Sequence, residues 1–180
     1  MRKTSPFIGI LSLFLTLSAG AAVAQENGGR KGTGLPVPRY VSLKTDRVNL
    51  REGPSKDHRT AWVFQRAGLP VEIVAEYENW RRIRDSEGTD GWVLHSLLSG
   101  RRTALIMPWA KEQQEPIALL SRPDDKSSVV ARLQPSVIVN VKGCDGTWCR
   151  VVVPIDGSRD NDGYTRQDRL WGVYPNEKVE

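Results

Sequence analysis

The side chains of this chain that suit covalent or metal chemistry are few. There are two cysteines, Cys144 and Cys149, and two histidines, His58 and His95. A cysteine nucleophile needs a free thiolate with a histidine beside it. Here only Asp145-Gly146-Thr147-Trp148 separates the cysteines, and Asp-Gly is a turn dipeptide. The spacing predicts a hairpin whose two strands are stapled by a Cys144–Cys149 disulfide, in a chain that meets an oxidising compartment. A metal site would need further soft ligands, and both histidines lie far away in sequence. No G-x-S-x-G elbow presents a serine. The acidic run Ser158-Arg159-Asp160-Asn161-Asp162-Gly163 has the start of a calcium-loop spacing but lacks the downstream glutamate, so it reads as a hairpin tip. No glycine motif cradles phosphate. We therefore assign no catalytic residue, metal or cofactor, and expect no enzyme.

The remaining candidates are aromatic and cationic. In Trp80-Arg81-Arg82-Ile83-Arg84, strand alternation puts Trp80 and Arg82 on one face and Ile83 on the other. If Ile83 faces a core, Trp80 faces outward beside arginine. In the same way Trp148, Arg150 and Val152 oppose Cys149, Val151 and Val153. Such an indole is either one wall of a ligand groove, where tryptophan and arginine serve as anchors, or a lid on the end of its own barrel with arginine stacked on it. The lid is the commoner arrangement. Asn49 and Arg51 stand where a strand runs into the break Gly53-Pro54-Ser55. The turn alone accounts for them, and ligand contact is the second reading. Trp62 and Trp92 are expected in the core or at a barrel edge. Trp109 is expected between the two halves.

The elements that must hold these residues are short strands. The first residues are an address: Arg2 and Lys3, an apolar run from Phe7 to Leu17, then Ala22-Val23-Ala24 before Gln25. This is the layout of a secretory signal cut between Ala24 and Gln25, and its apolar run is too short to span a bilayer. The expectation is an exported protein, periplasmic or secreted, with no transmembrane anchor in the mature chain. Without Arg2 and Lys3, the 26 basic residues against 21 acidic ones leave a net charge of about +3. No basic run exceeds a pair, which excludes the footprint of a nucleic-acid binder. Beyond a Gly-rich leader (25–38), strand-like runs alternate with turn clusters, as in a small barrel. The order then repeats. Val48-Asn49-Leu50 aligns with Ile117-Ala118-Leu119, Trp80 with Trp148, Gly91-Trp92-Val93 with Gly163-Tyr164-Thr165, and Leu97 with Leu170. The reading is all-β: signal 1–24, leader 25–38, a first domain 39–107, a linker 108–116, a second domain 117–175 and a tail 176–180.

Asn49-Leu50-Arg51-Glu52-Gly53-Pro54, Trp80-Arg81-Arg82-Ile83 and Gly91-Trp92-Val93 together resemble the bacterial SH3 (SH3b) family. The second copy departs, lacking the Asn and Gly of the first motif and carrying Gly163-Tyr164-Thr165 for the third. The resemblance implies two tandem SH3-like five-stranded β-barrels. It also implies a module that binds wall peptides or partner proteins, in a family often found beside a hydrolase domain. The expected function is a non-catalytic cell-envelope binding module for peptidoglycan peptide or an envelope protein. Its candidate contacts are Trp80, Arg82, Asn49, Arg51, Trp148 and Arg150. The alternatives are an assembly protein acting through barrel–barrel or partner-strand contacts and, behind it, a cryptic wall hydrolase. The ligand and the oligomeric state are not legible.

Overall fold

The computed structural model describes residues 32–110, 115–155 and 160–180. The expected signal, its Ala24–Gln25 junction and the first part of the leader lie outside the described residues. Seven antiparallel strand segments make the first sheet: β1 (Arg39–Leu43), β2 (Val48–Arg51), β3 (Thr60–Phe64), β4 (Pro70–Tyr77), β5 (Trp80–Arg84), β6 (Asp90–Leu94) and β7 (Leu98–Ser99). Their order is β3-β2-β6-β5-β4-β1-β7. The second sheet repeats that order with β8 (Thr103–Ile106), β9 (Ile117–Leu120), β10 (Val129–Leu133), β11 (Ile138–Asp145), β12 (Trp148–Val153), β13 (Asn161–Arg166) and β14 (Leu170–Trp171). A last short strand, β15 (Lys178–Val179), pairs with β11. The chain is thus two tandem SH3-like β-barrels.

Each barrel has its own core, because alternation along each strand sends one set of apolar side chains inward. Val48 and Leu50 of β2 are buried while Asn49 between them is exposed. They meet Val71, Ile73, Ile83 and Val93 in the first core. Ile117, Leu119, Val139, Val151 and both cysteines belong to a separate second core. The Cys144–Cys149 disulfide joins residues directly opposite in the β11–β12 hairpin. Closing so short a loop contributes about 2 kcal/mol in the chain-entropy account.

Three expected boundaries move. Thr103–Ile106 does not close the first barrel. It pairs with β11 and β14, as β1 pairs with β4 and β7, and its Ala104 and Ile106 lie in the second core. The junction between barrels is therefore 100–102. The described residues of the expected linker, 108–110 and 115–116, follow β8 and precede β9 of the second sheet, and Trp109 is 59% exposed rather than packed between the barrels. The expected tail 176–180 is part of the fold, since β15 pairs with β11 and the Glu177 carboxylate accepts from Arg102 at 2.8 Å. In the leader, Thr33 is tied down by its hydroxyl, which donates to Glu76 at 2.8 Å. In register, Leu170 corresponds to Leu98 and Arg169 to Leu97, because the single turns His95–Leu97 and Gln167–Arg169 precede β7 and β14.

Side chains lock the barrels together. Tyr40 of β1 packs on Trp171 and Tyr174, with ring centroids 5.1 and 4.6 Å apart. The Tyr174 hydroxyl donates to the buried Glu72 at 2.9 Å, and Glu72 also takes the Arg84 guanidinium at 2.5 Å. Burial, with Glu72 nearby, pushes the Tyr40 hydroxyl up to about 12. The Thr103 hydroxyl donates to the Gly68 carbonyl at 2.8 Å, and Arg66 donates to the Ser136 carbonyl at 3.0 Å.

In each sheet the first hairpin joins the other strands along one short seam. β2 meets β6 only at Arg51 and Trp92, and β9 meets β13 only at Leu120 and Tyr164. Beside each seam sits a glycine with no room for a side chain. A Cβ on Gly91 would lie 2.7 Å from Leu50 Cγ and 2.8 Å from the Arg51 carbonyl oxygen. On Gly163 it would lie 2.7 Å from the Leu120 carbonyl oxygen. This is the physical content of the repeated Gly-Trp and Gly-Tyr pairs. Gly91→Ala is expected to lower stability by about 1–3 kcal/mol through overpacking. Urea denaturation checks this, and an unchanged midpoint would show that the seam has slack.

Candidate functional site

One end of the first barrel carries a groove of about 240 Å³. Its floor is the Trp80 indole, at the start of β5. Leu94, ending β6, and Leu97, in the turn after it, also line it. β2 and its flanks add Arg47, Asn49, Arg51 and Lys56. Asn49 is there because strand alternation turns it away from the core between Val48 and Leu50. Its amide has no hydrogen-bond partner among the described residues. Arg51 is aimed by a bond from its guanidinium to the His58 carbonyl at 2.7 Å, and Gly53 leaves space for the His58 ring above it. Among the described residues no carboxylate lines this groove.

Of the sequence candidates, Trp80, Asn49 and Arg51 line this one groove. Trp80 is only 8% exposed. It lines the groove together with Leu94 and Leu97 and is otherwise buried. Arg82 is elsewhere. It pairs across the sheet with Asp90 at 2.7 Å, on an exposed surface with Trp92. Trp92 itself is edge-on to Tyr77 at 6.5 Å, and Trp62, 56% exposed, lies on the edge strand β3.

The second barrel repeats the groove at about 170 Å³, with Trp148 in the place of Trp80. Trp148 is half-buried and alternates with Cys149 and Val151 as the sequence predicted. The Arg166 guanidinium sits over its ring at 5.2 Å. Arg150, like Arg82, is not in the groove; it pairs with Asp162 at 2.9 and 2.6 Å. Both arginines were candidates because alternation puts them on the tryptophan side of the strand. Each instead has an acid on the next strand, two residues from its direct partner, and that diagonal cross-strand pair takes it.

A feature the sequence reading missed supports Trp80 from behind. Arg81 is buried, and donates to the carbonyls of Glu78 at 2.9 Å and of its neighbour Trp80 at 2.7 Å. It also pairs with Glu76 at 3.1 Å. Glu76, nearly covered, also takes Arg39 and Thr33. Burial alone would raise this carboxyl. Hydrogen bonds from Arg39 and Thr33, with the Arg81 charge, overcome that and hold it down at about 2. The only sequence signal was a Glu and an Arg placed symmetrically about the Glu78-Asn79 turn. Among the described residues no group of three or more His, Cys, Asp or Glu is placed to hold a metal ion, and no helix is long and apolar enough to cross a membrane.

Two small antiparallel barrels in tandem, each with a tryptophan-floored groove beside its first hairpin, define a double SH3-like protein. The bacterial SH3 domain family matches residues 44–100 and 113–172, and the chain belongs to that family. No curated protein matches it. Among solved structures it is similar to NlpC1 from Trichomonas vaginalis, at 16% identity and a TM-score of 0.33, covering 77% of this chain and 47% of that one. It is also similar to NlpC2 from the same organism, at 16% identity and a TM-score of 0.32, covering 76% and 49%. The chain spans about half the length of these structures.

Because the Glu76 carboxyl is held below its ordinary 4.5, at about 2, its stabilising contribution is complete above that ordinary value and fades as pH falls towards 2. Glu76→Gln is therefore expected to be less stable than the parent at pH 7 and to converge on it in acid. Thermal melts across that range check this, and a constant gap at every pH would contradict it.

Proposed function

We propose that this protein is a binding module of the cell envelope, and that its first groove holds an extended anionic peptide such as the stem peptide of peptidoglycan. The observation that supports this is the groove's lining, which combines Arg47, Arg51, Lys56 and the unpartnered Asn49 amide with the apolar Leu94, Leu97 and Trp80. Guanidinium and ammonium groups without a lining acid attract carboxylates and hasten encounter. A free side-chain amide offers both a donor and an acceptor to a peptide backbone. An indole supplies rigid contact area for whatever apolar part lies over it. Stem peptides combine backbone amides, free carboxylates and small apolar side chains, which suits all three. The disulfide fits an oxidising compartment, outside the cytoplasm.

Retention on purified sacculi tests the reading. The parent protein is expected to be retained, and the Arg47→Glu, Lys56→Glu double variant to lose about tenfold or more in affinity. Both positions are exposed, so the fold should survive. No retention of the parent, or equal retention of the variant, would overturn the proposal.

A second reading has its own observation. The strands at one end of each sheet order, β3 and β10, expose Trp62, Val129 and Val130, and such edges invite a partner's strand. On this reading the protein is an assembly component. It predicts a stable self-associated species that Val130→Lys disperses, read by light scattering on a sizing column. A monomer at every concentration would remove self-assembly.

A further inference from the structure

Where the two barrels meet lies a cleft of about 410 Å³ that shares no residue with either tryptophan groove. Its size is that of a small-ligand site, and such sites favour domain junctions. The second barrel builds most of it from parts that the first barrel lacks. Trp109 comes from the β8–β9 connection, whereas the β1–β2 connection, Lys44 to Arg47, holds no aromatic residue. Trp171 of β14 stands where β7 has Ser99. Ser99 pairs with Ser42 and Trp171 with Leu105, and those two partners face the first residues of β4 and β11. Val173, Pro175 and Asn176 belong to the segment after β14. Tyr40 lines the cleft from the first barrel.

The protein's own bonds hold this cleft in shape. The Gln167 amide nitrogen donates to the carbonyls of Tyr174 at 2.7 Å and Glu177 at 3.0 Å, and its oxygen accepts from the Gly146 N–H at 3.1 Å. The last segment is thereby tied to the β11–β12 turn. Trp109 is not what anchors its own turn. Pro108 and Ala110 on either side of it are buried, while the indole is exposed. The charge of the lining is one-sided. Among the described residues Asp168 contributes its one ionised group, and no lysine, arginine or histidine lines the cleft. Asp168 is exposed, and its carboxylate has no partner among the described residues. Aromatic rings carry negative charge on their faces. Two indoles, a phenol ring and a carboxylate therefore favour a cation, the reverse of the first groove with its Arg47, Arg51 and Lys56.

We infer that the cleft between the barrels binds an organic cation of the choline type, an ammonium group covered by methyl groups. A bare ammonium holds its water tightly. Methyl groups replace that water with apolar surface while the charge remains, and aromatic side chains suit both features. Trp109, Trp171 and Tyr40 supply the rings, and Asp168 supplies the counter-charge. Asn176, exposed at the rim, offers an amide to the polar end of such a molecule. An anion is disfavoured by the same groups. The inference uses no residue of the Trp80 groove, so it does not rest on the function proposed for that groove.

The probe is choline, with its neutral isostere, in which carbon replaces the nitrogen, as control. The readout is the indole N–H resonances of the folded protein, assigned by substitution. Choline is expected to shift the Trp109 and Trp171 resonances saturably and to leave Trp80 and Trp148 in place. The isostere is expected to bind about tenfold more weakly or worse. Trp109→Leu is expected to weaken choline binding about fivefold or more, followed at Trp171, and Asp168→Asn about threefold. Both side chains are exposed, so the fold should survive, and the comparison of choline with its isostere on the parent protein decides without any variant. Equal binding of the isostere, shifts confined to Trp80 or Trp148, or undiminished binding by Trp109→Leu would each overturn the inference. Flotation with phosphatidylcholine vesicles separates the two sources of the cation. Choline binding with flotation supports a lipid headgroup as the ligand, and choline binding without it supports a soluble one.

Discussion

The arrangement depends on how closely two strands can approach at one point in each barrel. The contact between β2 and β6, or between β9 and β13, is a single residue pair. A glycine next to it lets one backbone pass over the other. Without that approach the β2–β3 and β9–β10 hairpins would not join the remaining strands. With it, the residues on either side are fixed: Arg51 on β2 is brought beside Trp92 of β6, and Leu94, at the end of β6, stands beside Trp80 on β5. The groove is what remains at the barrel end after the seam has closed.

A barrel of this size buries little apolar surface and needs support from outside its core. The two barrels find different supports. The second carries its disulfide inside the hairpin that leads to Trp148. The first carries the Glu76–Arg81–Arg39 ion cluster at the hairpin that leads to Trp80. Either device holds the tip of the same hairpin and so the position of the same indole. Between the barrels, Tyr40, Trp171 and Tyr174 pack against one another, and Tyr174 reaches back to the buried Glu72.

Much of this is legible in the sequence, for local reasons. The alternation through Trp148 to Val153 is regular, so its inward and outward faces, the stapled hairpin and the second core can be read directly. The repeat identifies two barrels. The boundary between them cannot be read so simply, because Thr103–Ile106 is a strand whose partners lie beyond it, in β11 and β14. Proximity in sequence favours the wrong barrel, and only pairing decides. Trp80 has the alternation of an exposed residue and the burial of a core one, and its partner Leu94 comes from the next strand. Arg82 and Arg150 mislead for the converse reason. Each has an acid across the strand, and a cross-strand partner has no fixed spacing in sequence. Thr165 looks like any polar residue of a strand until the register shows it replacing Val93.

The central claim is that the Trp80 groove is where an anionic peptide lies. A crystal structure of the protein with a soluble peptidoglycan stem peptide tests it most directly. The account predicts the peptide across the indole of Trp80, with a carboxylate against Arg47, Arg51 or Lys56 and a backbone amide on Asn49. A peptide seated elsewhere, with that groove holding only solvent, would contradict it.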